Sequence, residues 1–144
     1  MKAPSTPTII ALCMAIAGCA STTVALREIA YEQSDLPERS AIEVRYRNES
    51  KLQMCIDPED WPNSAGAISE AETRAFLVVG TQRFPMRPFN AGYCLKGCAK
   101  AIKPGEELVA LIPYKFFDLP DNLAQQEKRL EFTSMAYPCR GSAR

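Results

Sequence analysis

The sequence contains no histidine. That one absence removes Ser-His and Cys-His nucleophile pairs, histidine general bases and every His-ligated metal site. Clustered basic charge is missing too: Lys plus Arg total 17, as do Asp plus Glu, and the longest basic run is Lys128-Arg129. A protein that neutralises many phosphates needs grouped cations, so nucleic acid is excluded as a partner. There is no glycine-rich phosphate loop, no internal repeat and no low-complexity segment. The apolar run Ile9 to Ala17 has nine residues. As a helix it covers about 13 Å, far short of a hydrocarbon core of about 30 Å, and cannot be a permanent span. The single tryptophan, Trp61, sits in Asp57-Pro58-Glu59-Asp60-Trp61-Pro62, where two prolines indicate a loop rather than the buried strand of an antibody domain. The acidic residues of that stretch lack the alternating spacing and central glycine of a calcium loop and read as a solvated turn.

What remains for catalysis is carboxylate chemistry among Asp57, Glu59, Asp60, Glu70 and Glu72. A chain this small with no activated nucleophile is read as a non-enzyme, with no metal and no cofactor.

The start of the chain carries the most specific pattern. Met1-Lys2 supplies a positive end, Ile9 to Ala17 an apolar stretch, and small residues lead into a cysteine. The segment Ile16-Ala17-Gly18-Cys19 resembles the lipobox of bacterial lipoproteins, an aliphatic residue, two small residues and cysteine, with isoleucine where leucine is commoner. The resemblance implies that residues 1–18 are a removable signal, that the Cys19 thiol receives a diacylglycerol, and that the freed amine is available for acylation. Each buried methylene contributes about 0.8 kcal/mol, so two or three acyl chains hold a soluble domain on a bilayer. In this class an aspartate after the cysteine favours inner-membrane retention. Ala20 therefore implies a cell-envelope protein at the outer membrane, facing the periplasm or the surface.

Removal of 18 residues leaves 126, enough for one domain. Lys2 is the only charge lost, so the mature chain has 16 basic against 17 acidic residues. Residues 19–40 read as lipidated cysteine and tether, reaching at most about 65 Å extended or about 25 Å as a coil. Leu26, Ile29 and Ala30 recur at helical spacing, which predicts a short helix over Val24 to Tyr31. Of the six cysteines, Cys13 leaves with the signal and Cys19 is lipidated. An even set of four in an exported domain reads as two disulfides. The preferred pairing is Cys94 with Cys98, eased by Gly97, and Cys55 with Cys139, which closes a long loop. A four-cysteine zinc site is the rival, but it usually needs two close pairs and only one exists.

Residues 41–144 carry strand signals. Ile42, Val44 and Tyr46 alternate with Glu43, Arg45 and Arg47. Asn48-Glu49-Ser50-Lys51 is a turn or irregular joint, and Asn48 opens a glycosylation triplet without weight in a bacterium. Leu52, Met54 and Ile56 resume the alternation. Gly80-Thr81-Gln82 joins two strands, Ala75 to Val79 and Arg83 to Met86, as a hairpin. Lys103-Pro104-Gly105-Glu106 has the residues of a type II turn, and Leu108, Ala110 and Ile112 share the next strand face. Asp121 to Lys128 predicts one or two helical turns capped by Asp121, and Leu130 to Ala136 a closing strand. Short strands at this spacing, cross-tied by disulfides, predict a mainly β fold: a single antiparallel, immunoglobulin-like β-sandwich, with a small β-barrel as the alternative.

Aromatics crowd two proline-bearing loops, FPMRPFNAGY and IPYKFFDLP. Trp61, Phe84, Phe89, Tyr93, Tyr114, Phe116 and Phe117 are thus the candidates for partner binding, since rigid aromatics offer large area at low entropy cost. The plainer reading is that most of them plug the core of a small domain. The expected function is a lipid-anchored binding or structural module for an envelope protein or glycan, held to the membrane through Cys19. Inhibition of a lysozyme or protease is the alternative, and a carboxylate-dependent hydrolase ranks below both.

Overall fold

The alternation Ile42, Val44, Tyr46 produces the central strand, because every second side chain of a pleated backbone points to the same face. All three are buried, and Ile42 and Val44 are completely so. A computed structural model describes residues 26–69, 74–89 and 99–139. Its strands are β1 (Arg27–Glu28), β2 (Glu32–Leu36), β3 (Ala41–Arg47), β4 (Met54–Ile56), β5 (Ala75–Val79), β6 (Gln82–Pro85), β7 (Lys100–Ile102), β8 (Glu107–Pro113), β9 (Arg129–Phe132) and β10 (Met135–Pro138). Helical structure among the described residues is confined to three-residue 3-10 turns, and none of their helices is long and apolar enough to cross a membrane.

The strands form three antiparallel sheets, ordered β1-β10-β4-β7, β2-β3-β8 and β6-β5-β9. Among the described residues no barrel closes, which speaks against the barrel alternative: each sheet ends in strands with a partner on one side only. Ile42, Ile56, Leu77, Ile102, Ile112 and Leu130 come from all three sheets and meet in one core. Each buried aliphatic side chain contributes roughly 1.5–3 kcal/mol.

Two turns form as their glycines require. Val79 faces Gln82 across Gly80-Thr81, and Gly80 has φ 57° at the first loop position, where a II′ hairpin needs glycine. Gly105 has φ 76°, and the Glu106 N–H donates to the Lys103 carbonyl at 3.0 Å. This second turn makes no hairpin. It carries the chain from β7 in one sheet to β8 in another.

Asn48 is the hub of that crossover. Completely buried, its amide donates to the Leu52 and Ile102 carbonyls at 2.8 Å each and accepts from Ser50, while its backbone bonds Glu106 and Gly105. The nitrogen a glycan would need is thus committed to the fold. Cys55 and Cys139 are joined, with Cα atoms 5.1 Å apart, beside the β4–β10 register Cys55↔Tyr137. Cys94, Cys98, Tyr93 and the lipobox lie outside the described residues.

Several expectations are corrected. The predicted helix gives way to β1 and β2 within residues 26–36, and β2 pairs with β3 along its length, so these residues belong to the sheets and not to a free tether. Leu52 is 42% exposed, because the Asn48 bonds hold it in a loop outside the Met54 and Ile56 alternation. Asp121 does not cap a helix: Pro120 precedes the turn Asp121–Leu123 without a side-chain cap. The closing strand is two strands in different sheets. They part at Thr133-Ser134, where the Ser134 hydroxyl donates to the Asp60 carbonyl and its own carbonyl accepts from the Ile29 N–H at 3.0 Å.

Between β2 and β9 there is no backbone ladder, and side chains take its place. Gln33 accepts from the Leu130 N–H at 2.6 Å and donates to the Leu130 carbonyl at 3.1 Å. The Tyr31 hydroxyl serves Phe132 in the same way, at 3.1 Å for both bonds. Asp35 accepts from the Lys128 N–H at 2.9 Å. Alternate residues of one segment thereby satisfy alternate residues of the other.

Candidate functional site

The opposite edge of the same sheet is covered only in part: the loop 57–68 packs on it at Leu111, while Val109 is left exposed. Among the described residues β8 pairs with β3 and with no strand on its outer side. The Leu111 carbonyl points outward, since it lies against Gly66 of the loop 57–68: a Cβ on Gly66 would meet that oxygen at 2.1 Å. Residues two apart in a strand aim their backbone groups the same way, so Val109 presents its N–H and C=O outward as well. Among the described residues no turn or loop backbone bonds to Val109 or Leu111.

Beside this edge runs a cleft of about 610 Å³. Its floor and walls are Ile56, Pro58, Trp61, Pro62 and Leu108 to Leu111, with Glu43, Asp57 and Lys100 among its polar lining. Val109 is 44% exposed there. The Pro58–Pro62 wall is held by its polar neighbours. Asp57 accepts from the Tyr137 hydroxyl at 2.7 Å, Asp60 pairs with Arg74, and Asn63 Oδ1 accepts from Ala65 and Ala67 at 2.8 and 3.1 Å. The acidic turn is therefore not simply solvated: two of its three carboxylates brace the cleft. Glu70 and Glu72 lie outside the described residues.

Among the described residues Trp61 is the one aromatic candidate that lines this cleft. It is 6% exposed and packs against Tyr46 and Phe132 with ring centroids 6.4 and 6.1 Å away. Its buried indole N–H has no hydrogen-bond partner among the described residues. Phe117 is core, and Phe84 and Phe116 pack on the core. Phe89 stands edge-on to Phe116 at 6.5 Å, and the Arg87 N–H donates to the Phe116 carbonyl at 2.7 Å. These rings hold the two proline-bearing loops together, which is why their spacing in the sequence resembled a display.

Tyr114 belongs to a separate cluster. Its hydroxyl donates to Asp35, and the Lys128 ammonium sits 4.5 Å above its ring. The fully buried Lys128 side chain donates to the Ala124 and Gln126 carbonyls at 2.6 Å each and lies 3.8 Å from Asp35. Burial first, and then the Asp35 carboxylate, push the Tyr114 hydroxyl well above the usual phenol range. None of the three clefts described is lined by Asp35, Tyr114 or Lys128, and the bonds of the cluster brace β2 against the segment that leads into β9.

The other two clefts are more polar. One of about 820 Å³ lies among Arg27, Glu28, Arg45, Arg47, Glu49 and Glu107, with Arg45 clamped between Glu43 at 2.7 Å and Glu107 at 3.0 Å. The hydrogen bond that Arg45 donates to Glu43 leads the causes that raise its guanidinium above the ordinary value. The third, about 660 Å³, has Glu131 between Arg83 at 3.0 Å and Arg129 at 2.6 Å. In each, a central charge is already paired: Arg45 in the first and Glu131 in the third.

Pro58, Gly66, Val109 and Leu111 were not singled out from sequence. A signal existed: Leu108 to Pro113 is a continuous apolar run, so apolar groups occupy both faces where a half-solvated strand would alternate. Comparison with protein-family models, with characterised proteins and with solved structures finds no match.

Proposed function

We propose that the chain is a lipid-anchored binding module of the bacterial envelope, an immunoglobulin-like sandwich that takes an extended segment of an envelope protein along β8. The open β8 edge beside an apolar, tryptophan-floored cleft is the observation that carries this reading. An added strand gains backbone bonds from Val109 up to the point where the Gly66 loop packs on Leu111, and the cleft supplies side-chain selection, the two requirements of strand addition. The lipobox and the exported cysteine set support the envelope location, with the outer membrane favoured by Ala20. The sandwich reading is supported by three sheets that share one core and by the Cys55–Cys139 link. Edge strands left open invite pairing, and β8 at Val109 combines such an edge with an adjoining apolar cleft.

The test is site-specific photocrosslinking in living cells. A photoreactive residue at Val109 is expected to capture a defined protein adduct that the same residue at exposed Glu38 does not capture. Val109→Pro removes the outward N–H and is expected to abolish capture from a probe placed at Leu111. Equal yields from positions 109 and 38 would refute the site.

A further inference from the structure

The chain enters the Lys103-Pro104-Gly105-Glu106 turn from β7 and leaves it into β8, yet these strands stand at the ends of different sheets and do not pair with each other. Asn48 pins them at the turn, through the Ile102 carbonyl on one side and the Glu106 and Gly105 backbone on the other. Lys100 lies three residues before the turn and Val109 three after it, and both line the β8 cleft. The cleft is therefore the gap that opens where β7 and β8 part. Lys100 is level with Ile56 of β4, and residues level across an antiparallel pair share a face. Ile56 is core, so the exposed Lys100 side chain starts from the core-facing row and stands at the mouth of the gap.

Of the three charged groups that line the cleft, Lys100 alone has no partner among the described residues. Glu43 accepts from Arg45 at 2.7 Å, and Asp57 accepts from the Tyr137 hydroxyl at 2.7 Å. We infer that the segment taken up along β8 carries a carboxylate, an Asp or Glu side chain, that meets the Lys100 ammonium at the mouth of the cleft. This rests on the strand-addition reading of β8 and names the chemistry of the partner. With the cleft empty, the exposed ammonium is hydrated. An apolar segment lying over Ile56, Trp61 and Val109 strips part of that water, and a cation that loses water without gaining a partner weakens binding. A carboxylate on the segment supplies the partner, whereas a basic side chain there adds repulsion. Neither lining carboxylate of the protein pairs with Lys100, so the missing charge has to come with the occupant.

The test uses the full-length protein in living cells, with the photoreactive residue at Val109. Mass spectrometry of the adduct is expected to place an Asp or Glu within about two residues of the crosslinked position, the reach of direct and diagonal cross-strand neighbours. Lys100→Glu is expected to cut the adduct yield several-fold and Lys100→Gln to cut it less, while Lys100→Arg preserves it. Changing the captured acidic residue to lysine is expected to restore the yield in the Lys100→Glu chain. Because Lys100 is exposed and unpaired, the urea midpoints of all three variants are expected to match the parent. Equal yields from the parent and the three variants, or a captured segment without a carboxylate at that distance, overturn the acidic partner and leave strand addition standing. A parent that gives no adduct from position 109 refutes strand addition itself, and the acidic partner falls with it.

Discussion

The sheet β2-β3-β8 ends in two ways. At β2 the side chains of Tyr31, Gln33 and Asp35 reach across to the backbone of Phe132, Leu130 and Lys128, so the polar groups of the seam are satisfied within the protein. At β8 the backbone of Val109 faces an apolar cleft with no strand among the described residues to pair it, while Leu111 meets the Gly66 loop. An unpaired backbone group that loses its water costs about as much as a lost hydrogen bond, so a closed edge is structural and an open one is available. The difference teaches where substitutions act: on stability at β2, and on recognition at β8.

The largest blow to this contrast is Asp35→Ala. It strips the acceptor from the Lys128 N–H and from Tyr114, and leaves a fully buried ammonium with carbonyl partners alone. Urea denaturation is expected to show a loss of about 3 kcal/mol. Gln33→Ala removes both bonds to Leu130 and is expected to cost about 2 kcal/mol, read from the same midpoint shift. Gly66→Ala sharpens the comparison, because Gly66 has φ 83° and sits against the Leu111 carbonyl. It is expected to cost roughly 1–3 kcal/mol and to reduce crosslinking from Val109, as the cleft wall is pushed off β8. Val109→Lys, by contrast, is expected to leave the denaturation midpoint within about 0.5 kcal/mol of the parent while abolishing partner capture. A large loss of stability there would erase the distinction between the two edges.

The smallest effect vanishes at neutral pH. Burial raises the hydroxyls of Tyr31, Tyr46 and Tyr114 above their ordinary value, and Asp35 adds to the shift at Tyr114. Above pH of about 10 the unfolded chain releases phenolic protons that the folded chain keeps. Stability therefore holds below that pH and falls as pH rises beyond it. Tyr114→Phe is expected to make the alkaline limb of a stability–pH curve shallower.

Legibility in the sequence followed the range of the interaction. The β3 alternation, the turns at Gly80 and Gly105 and the choice of Cys139 for Cys55 were readable, since each depends on side-chain period, on one φ angle or on chain-closure counting. Tyr31-x-Gln33-x-Asp35 was readable only as a polar segment, because its purpose depends on a strand almost a hundred residues away. Phe116, Phe117 and Trp61 resembled a display because their loops are proline-rich. Their burial comes from the other loops and sheets that fold over them.

By itself the sequence determined the period-2 pattern of β3, the positions where the backbone must turn, and the absence of histidine chemistry, all properties of neighbouring residues and of composition. Tertiary structure alone decided which strand ends as a sealed seam and which as an open edge. An edge is defined by what fails to pack against it, and that depends on where every other segment has gone.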